Sequence, residues 1–373
     1  MTEPLSRIPR GLRYYFGPEA SLRRRIEETS IATFRGWSYE EITTPTLDYY
    51  SLFEHGMGPT EAHRAFRFTD TDGRLLALRP DVTSSVARAA ATLFVDRERP
   101  LRLCYAASVF QQQASSHAEW RRELGQIGCE LVGVNTSVAD IEVLAIASEA
   151  LQRIGLGLNY SITLNDVEVF NGVADSLELD SDARDQLRQL VDTRNAIDLG
   201  RFLSSFSADS DCRGFAQLTR LSGKREVLDK ARQVIINRRS RAALDRLEEI
   251  WRVVESLGLT ERFAIDLGDI ARLDYYTGLT FRIYVAGAGV RVGSGGRYDG
   301  LTASFGRAEP AVGFVLDIDA LTNVLLTHTE TSRAKEDSES KSQPIVAADP
   351  SAVFLEAIQR RGRGERVLID AAR

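Results

Sequence analysis

Apolar positions recur at helical spacing from Glu19 to Arg35. Leu22, Ile26, Ile31 and Phe34 form one stripe, and Gly36 supplies a stop. Tyr39–Leu47 reads as a strand, with Pro45 near its end, where a missing backbone donor is tolerated. Phe66–Leu78 predicts a hairpin turning around Asp70–Gly73. Thr83–Phe94 predicts a helix opened by Asp81 or Thr83. Leu101–Phe110 and Glu123–Gly133 predict a second strand pair across the polar loop Gln111–Arg122. No strand–helix–strand repeat appears, so the expected class is α+β, an antiparallel sheet flanked by helices.

From about Asp175 to Leu257 the alternating pattern gives way to helical periodicity in Ala183–Leu190, Arg225–Ile236 and Ala242–Leu257. This segment is read as a helical insertion. Strands are expected again at Phe263–Leu267, Thr280–Val285 and Ala311–Ile318. Thr327–Gln343 has linker composition, rich in Ser, Thr, Glu and Lys. A short tail follows, with Pro344–Ala347, Ala352–Arg360 and Arg366–Ile369 read as strand, helix and strand. The expected organisation is a core of residues 1–174 and 258–326, an insertion at 175–257, a linker at 327–343 and a tail at 344–373. About thirty residues cannot bury a core of their own, so the tail needs a surface to pack on.

The net charge of −6 argues against a protein built mainly to grip a phosphate backbone. Cys104, Cys129 and Cys212 are isolated, and neither they nor His55, His63, His117 and His328 have metal-ligand spacing. No metal or cofactor is expected. With no signal-like or membrane-spanning run, the reading is a reduced, cytoplasmic protein without a membrane role.

Three segments carry a resemblance. The first is the helix–strand–Pro45 unit. The second is Leu78-Arg-Pro-Asp-Val-Thr83, followed by the strand pair ending Gly125-Gln-Ile-Gly-Cys-Glu-Leu-Val-Gly133. The third comprises Leu273-Asp-Tyr-Tyr-Thr-Gly278, Ser294-Gly-Gly-Arg-Tyr-Asp-Gly300 and Ala311-Val-Gly-Phe314. In this order they resemble the three motifs of class II aminoacyl-tRNA synthetases, specifically those of histidyl-tRNA synthetase. The first motif is that family's dimer interface.

The resemblance implies a histidine pocket. Asp81, Thr83 and Gln126 would meet the amino group, and Glu130 and Tyr276, with Tyr275 beside it, would read the imidazole. Arg297 and Arg272 could meet the carboxylate. The residues alone leave other readings open. Gln126 and Glu130, four apart on one strand face, could be surface polar groups. Tyr275 and Tyr276 could be core aromatics. Gly295, Gly296 and Gly300 read best as a tight turn. Arg297 could equally pair with a carboxylate inside the fold. Arg121, Arg122 and the Gln111–Gln113 run read as solvated loop.

The nucleotide side departs from the family. Gln111 and Gln113 stand where the second motif has arginine and glutamate. Ala320 stands where the third motif has arginine, and Ala271 where the family has an arginine just before Gly-Leu-Asp-Tyr-Tyr. Losing one charge-stabilising group costs roughly 10²–10³ in rate. The stretch after the third motif is also short for the family's anticodon-binding domain. These departures resemble the regulatory subunit of the short-form ATP phosphoribosyltransferase. The resemblance implies a non-catalytic chain that activates a separate short catalytic subunit and relays feedback by L-histidine. It would act as a homodimer within a hetero-octamer, without tRNA. An active synthetase and a stand-alone histidine-binding module are the alternatives.

Overall fold

The computed structural model describes residues 6–112, 121–157, 159–206, 216, 219–269, 275–333 and 350–368. Helix α1 (Gly17–Gly36) starts with proline in its first turn, where the missing N–H costs nothing, and buries the predicted stripe. The expected strand at 39–47 is instead two pieces, β1 (Glu40–Glu41) and β2 (Leu47–Tyr49), separated by the segment holding Pro45. Short helices α2 (Tyr50–Met57) and α3 (Pro59–Ala62) lead to the hairpin β3 (Arg67–Thr69) and β4 (Leu75–Leu78). Then come α4 (Thr83–Ala91), β5 (Leu101–Phe110), β6 (Glu123–Val132) and α5 (Ser137–Leu151).

Strand β7 (Tyr160–Asp166), absent from the sequence reading, precedes α6 (Val167–Ser176). The helical segment holds α7 (Ser181–Asp192), α8 (Ala196–Phe206), the two-residue β8 (Ser222–Gly223), α9 (Glu226–Val234) and α10 (Arg238–Ser256). Strands β9 (Phe263–Asp266), β10 (Leu279–Val285), β11 (Arg291–Arg297) and β12 (Ala311–Asp317) complete the main sheet. Helix α11 (Ile318–Arg333) runs seven residues into the stretch whose composition suggested a linker.

The main sheet has nine strands in the order β1-β5-β6-β12-β11-β10-β7-β9-β8. It is mixed, not wholly antiparallel, because β1 runs parallel to β5 and β7 parallel to β9. Strands β2-β4-β3 form a small second sheet. The two faces of the main sheet follow strand alternation. Ile127, Cys129 and Leu131 of β6 point into the large core shared with α1, α5, α10 and the helical segment. Gln126, Gly128 and Glu130 therefore face the other way. There α4, through Val86, Ala87 and Ala90, packs on Leu103 and Tyr105 of β5.

The chain divides into two compact units at Leu326 and Thr327. In the second, helix α12 (Pro350–Gly362) packs Val353 and Ala357 against Val367. Residues 365–368 form no strand, and the strand expected at Pro344–Ala347 lies outside the described residues.

Candidate functional site

Cross-strand register on the α4 side of the sheet lines up two rows of side chains. One runs Thr163, Arg282, Ser294, Val315, Gly128; the other runs Asn165, Thr280, Gly296, Gly313, Glu130. Gly296 and Gly313 in the middle of the second row, and Gly128 at the end of the first, remove bulk beside the polar groups. The result is a cavity of about 190 Å³. Six sequence-predicted residues line it together: Asp81, Thr83, Gln126, Glu130, Tyr275 and Tyr276.

Glu130 is the floor of the acidic end and is 1% exposed. One carboxylate oxygen accepts from the Thr83 hydroxyl at 2.9 Å and the Tyr105 hydroxyl at 3.1 Å; the other accepts from Tyr298. Burial pushes its pKa up to about 7; the three hydroxyls pull it down and Asp81 adds to the rise. Asp81 sits beside it, its carboxyl oxygens enclosed and without a hydrogen-bond partner among the described residues. Burial raises Asp81 to about 6, tempered by the nearby Ser84 hydroxyl and amide. Two enclosed carboxylates with no cation between them among the described residues make a site suited to an ammonium or a ring N–H.

Neither Asp81 nor Thr83 caps α4, although both are residue types that usually do so. The helix starts at Thr83 without a side-chain cap, and the Thr83 hydroxyl is spent on Glu130. Tyr275 packs at 4.8 Å, tilted, on Tyr276 and at 5.7 Å, edge-on, against Tyr298. Tyr276 also closes over Gly296, where an added Cβ would lie 2.8 Å from its ring. Gly295 and Gly296 therefore belong to strand β11, not to a turn. They are small because Phe281 and Tyr276 occupy the space a side chain would need.

The opposite end, at β10 and β11, is basic: Arg282 and Arg291 line the cavity there, and Arg64 lines it from beside the end of β5; the sequence reading named none of the three. Arg64 pairs with Glu61 at 2.8 Å and Arg282 with Asp269 at 2.5 Å. From β10 to β6 the sheet spans three strand spacings, about 14 Å between backbones, and side chains from both ends reach inward across that gap. The cavity thus carries positive charge at positions other than those where the family's arginines are missing.

Arg297 is not a cavity residue. It is 7% exposed and binds Asp140 and Asp299 together with the Val134 and Thr136 carbonyls, the structural alternative. Arg272, Ala271 and Gln113 lie outside the described residues. Gln111 lines the cavity instead of standing in a solvated loop. Arg121 lies 4.0 Å from Asp319 and Arg122 stacks over Phe66, so neither is simply solvated. Ala320 is buried in the first turn of α11. Tyr298 was within reach of sequence reasoning, since it follows Arg297 in a quoted motif. Arg282 shares the polar alternation of β10 with Thr280.

No cluster of His, Cys, Asp and Glu among the described residues could hold a metal ion. No described helix is long and apolar enough to cross a membrane.

The histidyl-tRNA synthetase family model matches residues 11–321. The ATP phosphoribosyltransferase regulatory subunit of Moorella thermoacetica is 35% identical, over 97% of this chain and 92% of that protein. The protein of the same name from Syntrophotalea carbinolica is 37% identical, over 85% of this chain and 74% of its own length. Among solved structures, an ATP phosphoribosyltransferase regulatory subunit/histidyl-tRNA synthetase from Bacillus halodurans superposes with a TM-score of 0.85 at 28% identity, covering 99% of this chain and 93% of that one. Histidyl-tRNA synthetase from Nostoc superposes with a TM-score of 0.77 at 19% identity, covering 100% and 87%, which speaks to the fold alone.

Proposed function

The chain belongs to the histidyl-tRNA synthetase family, among the ATP phosphoribosyltransferase regulatory subunits, and from that membership we propose that it is a histidine sensor. Its role is regulatory, within histidine biosynthesis, as part of an enzyme complex. We propose further that free L-histidine occupies the cavity. Its ammonium and imidazole would meet Asp81, Gln126, Glu130 and Tyr276. The partner would be a short catalytic ATP phosphoribosyltransferase chain that this protein activates, and through which bound histidine lowers the rate. Such inhibition requires different histidine affinities in the active and inhibited assemblies. We also propose a homodimer within a larger hetero-oligomer, without tRNA binding or aminoacylation.

The observation that supports this reading best is the enclosed Asp81–Glu130 pair facing a basic end in one cavity. That is the charge pattern of an amino-acid site. Arginines are missing at the nucleotide-handling positions Gln111 and Ala320, which supports a binding role over adenylation.

Phosphoribosyl transfer to ATP by the short catalytic chain should rise when this protein is added and fall again with histidine. No change in that rate, together with histidine-dependent ATP–pyrophosphate exchange by this chain alone, would replace the regulatory reading with a synthetase. Light scattering of the mixture reads the stoichiometry.

A further inference from the structure

Strand β11 breaks its pairing with β10 at one place. Ile283 stands opposite Gly293, but Tyr284 stands opposite Arg291, so Val292 is an extra residue. A bulge of this kind re-aims the side chains beyond it. Val292 and Gly293 both turn to the helix-covered face, where Val292 is fully buried in the large core and a Cβ on Gly293 would meet Ile283. Arg291 is thereby brought to the same face as Ser294, into the cavity. Without the bulge, strict alternation would put it on the other side.

Arg291 differs from the other two cavity arginines. Arg64 and Arg282 each have a carboxylate partner within ion-pair distance. Among the described residues Arg291 has none at that distance: Arg282 lies near enough to repel it, and Asp269, already engaged by Arg282, attracts it without closing an ion pair. Tyr276 lies within electrostatic reach of Arg291 as well as of Glu130 and Asp81. An anion at Arg291 would relieve the repulsion and complete the charge pattern of the cavity.

We infer that Arg291, aimed into the cavity by the bulge at Val292, holds the carboxylate of the bound amino acid. It takes the place that sequence reasoning offered to Arg297 and Arg272. This assignment rests on the reading of the cavity as a histidine site and makes Arg291 a specificity residue. Compounds that keep the ammonium and imidazole but lack the carboxylate should be discriminated against through this one side chain.

Calorimetric titration of the full chain with L-histidine and with L-histidinol, which carries a hydroxymethyl group in place of the carboxylate, tests it. The wild-type protein should prefer histidine, and Arg291→Gln should weaken histidine by roughly 10–100-fold, the scale of one charge-assisted contact. Histidinol affinity should stay within about twofold between the two proteins. Arg291→Lys should recover part of the loss. Equal weakening of both ligands would mean that Arg291 only supports the fold, and unchanged histidine affinity would mean that it does not touch the ligand; either result overturns the assignment. A wild-type chain that binds histidinol but not histidine overturns it as well. A wild-type chain that binds neither sinks the histidine reading itself, and the assignment with it. Arg291 is surface-accessible, so a thermal melt of Arg291→Gln close to wild type verifies that the variant is folded.

Discussion

Gly313 on β12 lies directly opposite Glu130 on β6, and a Cβ on Gly313 would sit 1.7 Å from a Glu130 carboxylate oxygen. The absence of a side chain at Gly313 is thus what allows the carboxylate to lie flat beneath the cavity.

Gly313→Ala should therefore act on the ligand site through Glu130. The added methyl also meets the Cys129 carbonyl at 2.5 Å, so the strand pair must part slightly, at about 1–3 kcal/mol. Histidine binding should weaken by ~1.5–3 kcal/mol, as it should in Glu130→Ala, which removes one hydrogen-bonded charge. Calorimetry on both variants checks this. Unchanged affinity in Glu130→Ala would remove Glu130 from the site.

The titration of Asp81 and Glu130 gives a pH dependence with opposite signs for binding and for folding. Both carboxyls are raised, to about 6 and about 7, chiefly by burial. The ammonium of histidine stays charged throughout this range, and it is held best by ionised carboxylates. Histidine affinity should rise roughly tenfold between about pH 5.5 and 7.5. The unliganded fold behaves the other way. Its pKa values lie above those of the unfolded chain, so it holds more protons across that window and loses stability as pH rises through it. Melting with and without histidine at several pH values reads both trends. Histidine's own imidazole also titrates here, so Glu130→Gln is the control, and it should flatten the protein's share of the binding trend. An affinity profile identical in Glu130→Gln would detach the pH response from Glu130.

The elements that define the site were legible to different degrees, for physical reasons. Residues Gln126 and Glu130 were readable because period two along an apolar strand fixes their common face. Strands β7 and β11 were missed. Strand β11 is Arg-Val-Gly-Ser-Gly-Gly-Arg, whose glycines mimic a turn and are explained only by the Tyr276 and Phe281 rings packed over them. Arg291 could not have been placed, because a one-residue bulge inverts the face that alternation assigns. Arg297 was drawn toward the ligand by its neighbourhood in a motif, whereas its guanidinium is consumed by Asp140 and two carbonyls. The helix α4 cap failed as a rule because Thr83 serves Glu130 instead.

Restoring one arginine should not restore adenylation. Gln111 lines the cavity, so Gln111→Arg would return a guanidinium to it. Ala320, however, is 3% exposed and brings no cation of its own, and the neighbouring Arg23 and Arg121 are turned toward the Asp319 carboxylate. Arg64 and Arg282 are already engaged with Glu61 and Asp269. The expected result for Gln111→Arg is no histidine-dependent ATP–pyrophosphate exchange. Measurable exchange in this single variant would show that the missing arginines matter less than their positions suggest.

Asp319 stands next to Ala320, where a catalytic motif would be expected, and its carboxylate is used to hold the fold. It accepts from the Tyr15 hydroxyl, the Arg23 guanidinium and the Gly125 amide, the last at 2.7 Å. It is nearly fully buried, and Arg23 stacks over the Tyr15 ring, so the N-terminal segment, α1, β6 and α11 meet at this one group. Burial and the Asp319 carboxylate together push the Tyr15 phenol up to about 12. Asp319→Ala should leave Arg23 as an uncompensated, largely buried charge and strip two neutral donors of their acceptor, at a cost of about 3–5 kcal/mol. Urea unfolding measures the loss, and ultraviolet titration should show one tyrosine returning toward its ordinary value near 10. Asp319→Asn, which keeps an acceptor oxygen but no charge, should fall between the two. If Asp319→Ala unfolds within about 0.5 kcal/mol of wild type, the junction is held by its apolar packing and the carboxylate is dispensable.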